Sequence, residues 1–183
     1  MAEAYYSTVF AQSADDIWNA IRDFNNYPAW VDGAGESAIE DGKSGDAVGA
    51  VRNVLYRGKR IRQRLVALSD PERAQVYEFC GTAPMPVQHY RATLKVTPII
   101  DGGRGFVEWW ATFDCTPERH EEWTVFFRDA FAGWLASLRR YLDGRGSSFD
   151  RLGANETAGI ATHMEQSRPS GLASVAPARP DRL

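Results

Sequence analysis

The chain has 183 residues, enough for one domain with a real core. Its 21 basic and 24 acidic residues leave a net charge of −3, which removes the electrostatic case for a nucleic-acid or anionic-membrane partner. Two cysteines, Cys80 and Cys115, are too few for a disulfide framework and read as reduced thiols in strand-like runs.

The opening, MAEAYYSTVFAQSADD, has no basic segment and no long apolar run, so it does not read as a signal peptide. Nothing downstream reads as a membrane span, and the expectation is a soluble, cytoplasmic protein. Tyr5 to Phe10 reads as a first strand. Ser13 is placed to cap a helix over residues 14 to 24, with Asp15 and Asp16 at its positive end. Ile17, Trp18, Ala20, Ile21 and Phe24 give that helix one apolar face. Pro28 then opens a second short helix carrying Trp30 and Val31.

Strand candidates follow at even spacing: Ser37 to Glu40, Ala47 to Tyr56, Lys59 to Leu68 and Ala74 to Cys80. Turn residues separate them, at Asp41-Gly42, Arg57-Gly58, Ser69 to Glu72, and Gly81 to Pro84. The stretch from Met85 to Asp114 then reads as two long antiparallel strands about an Asp101-Gly102-Gly103 turn. Thr116-Pro117-Glu118 has the chemistry of a helix start. Trp123, Phe126, Phe127, Ala130, Phe131, Trp134, Leu135, Leu138 and Leu142 follow at steps of three and four. This predicts a long helix with an aromatic face, stopped by Gly144. From Asp143 onward the large apolar residues thin out, and residues 145 to 183 read as a disordered tail beside a domain of residues 1 to 144.

Strand, helix, short helix, six strands, long helix is an α+β order. With the stretches ADDIWNAIRDFNNYPAWV, GAVRNVLYRGKRIRQRLVALSD, YEFCGTAPMPVQHYRATLKV and FVEWWATFDC, the chain resembles the START/SRPBCC superfamily. That superfamily has the helix-grip fold of the birch-pollen allergens. The middle stretches look most like the polyketide cyclase/dehydrase and lachrymatory-factor-synthase branch, which includes bacterial polyketide cyclase-like proteins. The resemblance implies a curved antiparallel sheet of about seven strands wrapped around the C-terminal helix, with a ligand cavity between them. It also implies a small hydrophobic partner and allows a homodimer. It places the cavity wall on Arg52, Gln63, Tyr77, Phe79, Tyr90, Ala92, Glu108 and Trp110 of the sheet. From the helix it adds Phe126, Ala130 and Trp134, which share one side, and it makes the loops around Gly33 to Gly35, Arg57 to Lys59 and Gly81 to Pro86 a flexible rim. Where the lachrymatory-synthase pattern has Glu-Arg-Leu this chain has Gln63-Arg64-Leu65, and glutamine cannot titrate.

Three functional readings stay open. The first is binding of a hydrophobic or aromatic ligand of polyketide, lipid or isoprenoid type, with Arg52, Gln63, Tyr90 and Glu108 orienting a polar group. The second is a cyclase, dehydratase or isomerase, with Glu108 as the proton shuttle and Arg52 or Tyr90 stabilising an oxyanion. The third is a protein-interaction module that uses Trp109 and Phe113, which strand parity places opposite Glu108, or the tail, with the cavity collapsed around its aromatics. His89, His120 and His163 are too scattered for a metal site, and no cofactor is expected.

Overall fold

A computed structural model of the chain describes residues 1–81 and 83–165. The first strand, β1 (Ala2–Phe10), leads into α1 (Ala14–Ile21) and the short α2 (Tyr27–Trp30). Then come β2 (Ala34–Ile39), β3 (Val51–Tyr56), β4 (Lys59–Ser69), β5 (Ala74–Phe79), β6 (Gln88–Ile99) and β7 (Arg104–Asp114). They form one antiparallel seven-stranded sheet in the order β1-β7-β6-β5-β4-β3-β2. The last helix, α3, spans His120–Glu165. This is the helix-grip architecture.

Local chemistry sets these boundaries. The Ser13 hydroxyl accepts from the Asp16 amide at 3.1 Å, satisfying one of the free donors at the start of α1. Gly102 and Gly103 sit at φ +78° and +61°, a region an L side chain rarely enters, and they close the β6–β7 hairpin. Gly105 has a different role. A Cβ there would lie 2.3 Å from Ile17 Cδ1, so the absent side chain is what lets α1 settle on β7.

The core lies on one face of the sheet. Trp109 stacks on Phe131 of α3, with centroids 5.2 Å apart and planes 9° from parallel. Phe113 meets Phe127 of the same helix at 4.9 Å. Between Trp109 and Phe113, on the same face of β7, lies Ala111. It pairs with Ala4 of β1 and with Ala92 of β6, and all three are fully buried. This row of alanines leaves room for the aromatic side of α3 between two taller rings.

Two expectations need correction. The helix does not stop at Gly144, because α3 continues to Glu165. Glycine lowers helix propensity by about 1 kcal/mol but does not forbid the conformation. The chain divides into two units, Met1–Gly144 and Arg145–Leu183. The later part of the expected tail, residues 166 to 183, lies outside the described residues. The second correction concerns the faces of β7. Its inward set is Val107, Trp109, Ala111 and Phe113; Glu108, Trp110 and Thr112 face outward. Trp109 and Phe113 are therefore core, not an exposed patch. Both faces of this strand carry aromatic rings, but only the Trp109 set lacks a charge. Burying Glu108 without a partner would cost several kcal/mol on the order of an unpaired ion, so the strand takes the other face.

Candidate functional site

The polar centre of the interior is Arg52, 2% exposed, on β3. It faces Gln63 of β4 as a direct cross-strand partner. Its Nη2 donates to Gln63 Oε1, and its Nη1 donates to the Phe24 carbonyl at 2.6 Å. The guanidinium lies between the rings of Phe24 and Tyr27, 3.9 and 4.0 Å from their centroids. Its Nε has no acceptor. Among the described residues no carboxylate is hydrogen-bonded to the guanidinium, and Asp23 acts on it only through its charge. Desolvation pulls the Arg52 pKa below its ordinary value, and the nearby Tyr27, Tyr77 and Tyr90 hydroxyls act the other way. An arginine stays charged under such a shift, so the site holds a buried cation solvated by neutral oxygens and ring faces.

Tyr77 and Tyr90 complete the cluster from β5 and β6. The Tyr77 hydroxyl accepts from Trp109 Nε1 at 3.0 Å, and burial pushes its pKa up to about 12. Burial, then the neighbouring Tyr77, holds Tyr90 well above the usual phenol range. Both hydroxyls stay protonated at neutral pH. Phe79 stacks on Tyr90 with centroids 4.2 Å apart. Ala92 lies wholly buried beside Tyr77 in the register.

A cleft of about 690 Å³ opens where α3 passes the β3–β4 hairpin and the β5–β6 loop. Phe126, Ala130 and Trp134 form its helix wall, one turn apart. Tyr56 and Ile61 face them from the hairpin, and Met85 from the loop. Trp134 Nε1 donates to the Tyr56 hydroxyl at 2.9 Å, which joins the two walls at the floor. Phe126 is 48% exposed although it is a large apolar ring. Tyr27 links cleft and interior: its ring is 6.0 Å from that of Trp134 and 4.0 Å from the Arg52 guanidinium. Two more hollows flank the β5–β6 loop, of about 710 and 650 Å³. The smaller is lined partly by Phe79 and Tyr90, among Glu78, His89 and Arg91. Neither is lined by α3's aromatic stripe.

The expected cavity residues thus divide into three groups. Phe126, Ala130 and Trp134 line the cleft. Arg52, Gln63, Tyr77, Tyr90 and Ala92 point inward but are packed beneath it, with Phe79 at their edge. Glu108 and Trp110 are on the opposite face of the sheet. Glu108 accepts from the Tyr5 hydroxyl at 2.9 Å and sits across from Lys95, so it cannot shuttle a proton in the cleft. Tyr56 and Ile61 were not anticipated, whereas Met85 falls in the Gly81 to Pro86 loop expected at the rim. Tyr56 was within reach of the parity argument, since residues 52, 54 and 56 share a face. Met85 was legible only as part of that loop, because no strand or helix period fixes where a loop residue points. Among the described residues, no group of three or more His, Cys, Asp or Glu could hold a metal ion, and no helix is long and apolar enough to cross a membrane.

The family model described as polyketide cyclase / dehydrase and lipid transport matches residues 1–143. No curated protein matches the chain. Among solved structures, a Thermobifida fusca protein is 32% identical, with a TM-score of 0.69 over 77% of this chain and 93% of its own. The protein XoxI from Bacillus cereus is 28% identical, also at 0.69, over 78% of this chain and 96% of its own. The di-domain ARO/CYC BexL from the BE-7585A biosynthetic pathway is 15% identical, with a TM-score of 0.67 over 78% of this chain and 47% of that one, and shares the fold.

Proposed function

The chain belongs to the polyketide cyclase/dehydrase and lipid transport family, and from that premise we propose that it binds a small hydrophobic or aromatic molecule in the cleft beside α3. The ligand would be of polyketide, lipid or isoprenoid type. The observation that carries this reading is the helix wall itself. Phe126, Ala130 and Trp134 present apolar surface to an open cleft of about 690 Å³, within the usual size of ligand pockets. A ligand there removes the exposed Phe126 ring from water, at about 25 cal/mol for each Å² covered.

The polar groups favour binding over turnover. The buried polar side chains that face inward from the sheet are Arg52, Gln63 and Gln75, together with the phenols Tyr77 and Tyr90. These lie packed beneath the cleft rather than in its walls. None is a carboxylate or an imidazole, the groups that most often take a proton from carbon. The acids that line the cleft itself, Asp32 and Asp129, are both ion-paired at its rim.

The test uses a neutral probe, N-phenyl-1-naphthylamine, whose fluorescence rises and shifts to the blue in an apolar site. The wild-type protein should bind it. Ala130→Trp, which fills the cleft from a helix position at its edge, should weaken binding at least about tenfold with the unfolding midpoint unchanged. Equal binding by the variant overturns the assignment to this cleft.

A further inference from the structure

We propose that the cleft selects amphipathic carboxylates, with Arg57 and Lys59 at its rim holding the acid group while the apolar part lies against α3. This rests on the cleft being the ligand site and names the class of ligand it prefers. Both cations line the cleft, on the tip of the β3–β4 hairpin. Neither is in an ion pair among the described residues. Their neighbours differ in this: Arg60, one residue beyond, is paired with Glu36 at 2.7 Å, and Arg62 with Glu40 at 2.6 Å. The rim's two carboxylates are engaged as well. Asp32 is held by Arg140, and Asp129 lies 3.2 Å from Arg128. The rim therefore offers two unpaired cations and no unpaired acid.

The hairpin tip is also fixed in place. Arg57 and Gly58 sit at φ +46° and +79°, the left-handed pair of a tight two-residue turn. The Arg57 amide donates to the Gly33 carbonyl at 2.9 Å. The Arg57 stem runs so close to Gly33 that a Cβ there would meet its Cγ at 3.2 Å. Its guanidinium lies 5.4 Å from the centre of the Tyr56 ring, and Tyr56 is bonded to Trp134. An arginine aligned this way can grip both oxygens of a carboxylate, and Lys59 adds a point charge beside it. Bonding of the ligand head at the rim would set its tail towards Trp134 and Phe126.

The test is displacement of bound N-phenyl-1-naphthylamine by dodecanoate and by 1-dodecanol, at pH 8, where the acid is ionised. These have the same chain and differ in the head group. The wild-type protein should prefer dodecanoate by about fivefold, the scale of an exposed ion pair, and the preference should shrink in 0.5 M NaCl. The double substitution Arg57→Gln with Lys59→Gln should remove the preference and leave 1-dodecanol affinity unchanged. Equal wild-type affinity for the two, or a preference that survives in the double variant, overturns the proposal while leaving the cleft reading intact. Failure of the probe itself to bind defeats the cleft reading, and this proposal with it.

Discussion

Arg52 and Gln63 face each other across β3 and β4, and among the described residues the Gln63 carboxamide oxygen is the side-chain acceptor of that buried guanidinium. The family pattern of the lachrymatory-synthase branch has a glutamate here. Glutamine keeps the hydrogen bond and gives up the counter-charge. Gln63→Leu leaves the cation with the Phe24 carbonyl and its ring contacts, and should cost about 2–3 kcal/mol by urea denaturation, the value of a hydrogen bond to a buried charge. Gln63→Glu restores an acceptor and should cost less. A Leu variant as stable as wild type would mean that the ring faces alone solvate Arg52.

Glu108 belongs to the outer face of the sheet, where Tyr5 donates to it. Glu108→Gln should therefore change stability by no more than about 0.5 kcal/mol, and leave probe binding as it was. A loss of binding in this variant would return Glu108 to the ligand site.

The alanine row of Ala4, Ala111 and Ala92 sets how near α3 comes to the sheet. Ala111→Leu inserts three carbons under Phe127 and Phe131 and should destabilise the protein by about 1–3 kcal/mol. The thermal midpoint and the near-ultraviolet circular dichroism of Trp109 should both move. No change in either would show that α3 is free to shift outward.

Asp70 ties the β4–β5 turn to α1. It accepts from Arg22 Nε at 2.7 Å and from Trp18 Nε1 at 2.8 Å. Arg22 first, then Trp18, holds its pKa below the ordinary 3.8. A carboxylate depressed on folding adds stability that is fully present above its unfolded pKa and is lost as pH falls through the folded one. The contribution should thus hold at neutral pH and fade below about pH 4. Asp70→Asn should flatten that limb of the stability-against-pH curve. An unchanged acid limb would assign the loss to other carboxylates.

Much of the fold was legible because its signals are local. The Arg57-Gly58 turn fixes the β3–β4 register by counting outward, from Tyr56 opposite Lys59 to Arg52 opposite Gln63. The 126, 130, 134 stripe followed from helical spacing alone. The facing of β7 was not legible in the same way. Phe106 and Trp110 are as aromatic as Trp109 and Phe113, and what separates the two sets is the Glu108 charge on one of them together with the rings of Phe127 and Phe131 that arrive from α3. The rim of the cleft was legible as loops, around Arg57 to Lys59 and Gly81 to Pro86, but not as individual side chains. Met85 lines it through the path of a loop, and Arg57 through a backbone conformation that puts a non-glycine residue at positive φ. The end of α3 escaped because Gly144 permits a helix stop without requiring one.

The most direct measurement is an amide and indole nitrogen–proton NMR titration with N-phenyl-1-naphthylamine. The largest shifts should fall at the Trp134 indole and the amides of Ala130, Gly133, Ile61 and Met85, with Glu108, Trp110 and Thr112 unmoved. Shifts centred on that outer strand face, or none in α3, would contradict binding in the cleft.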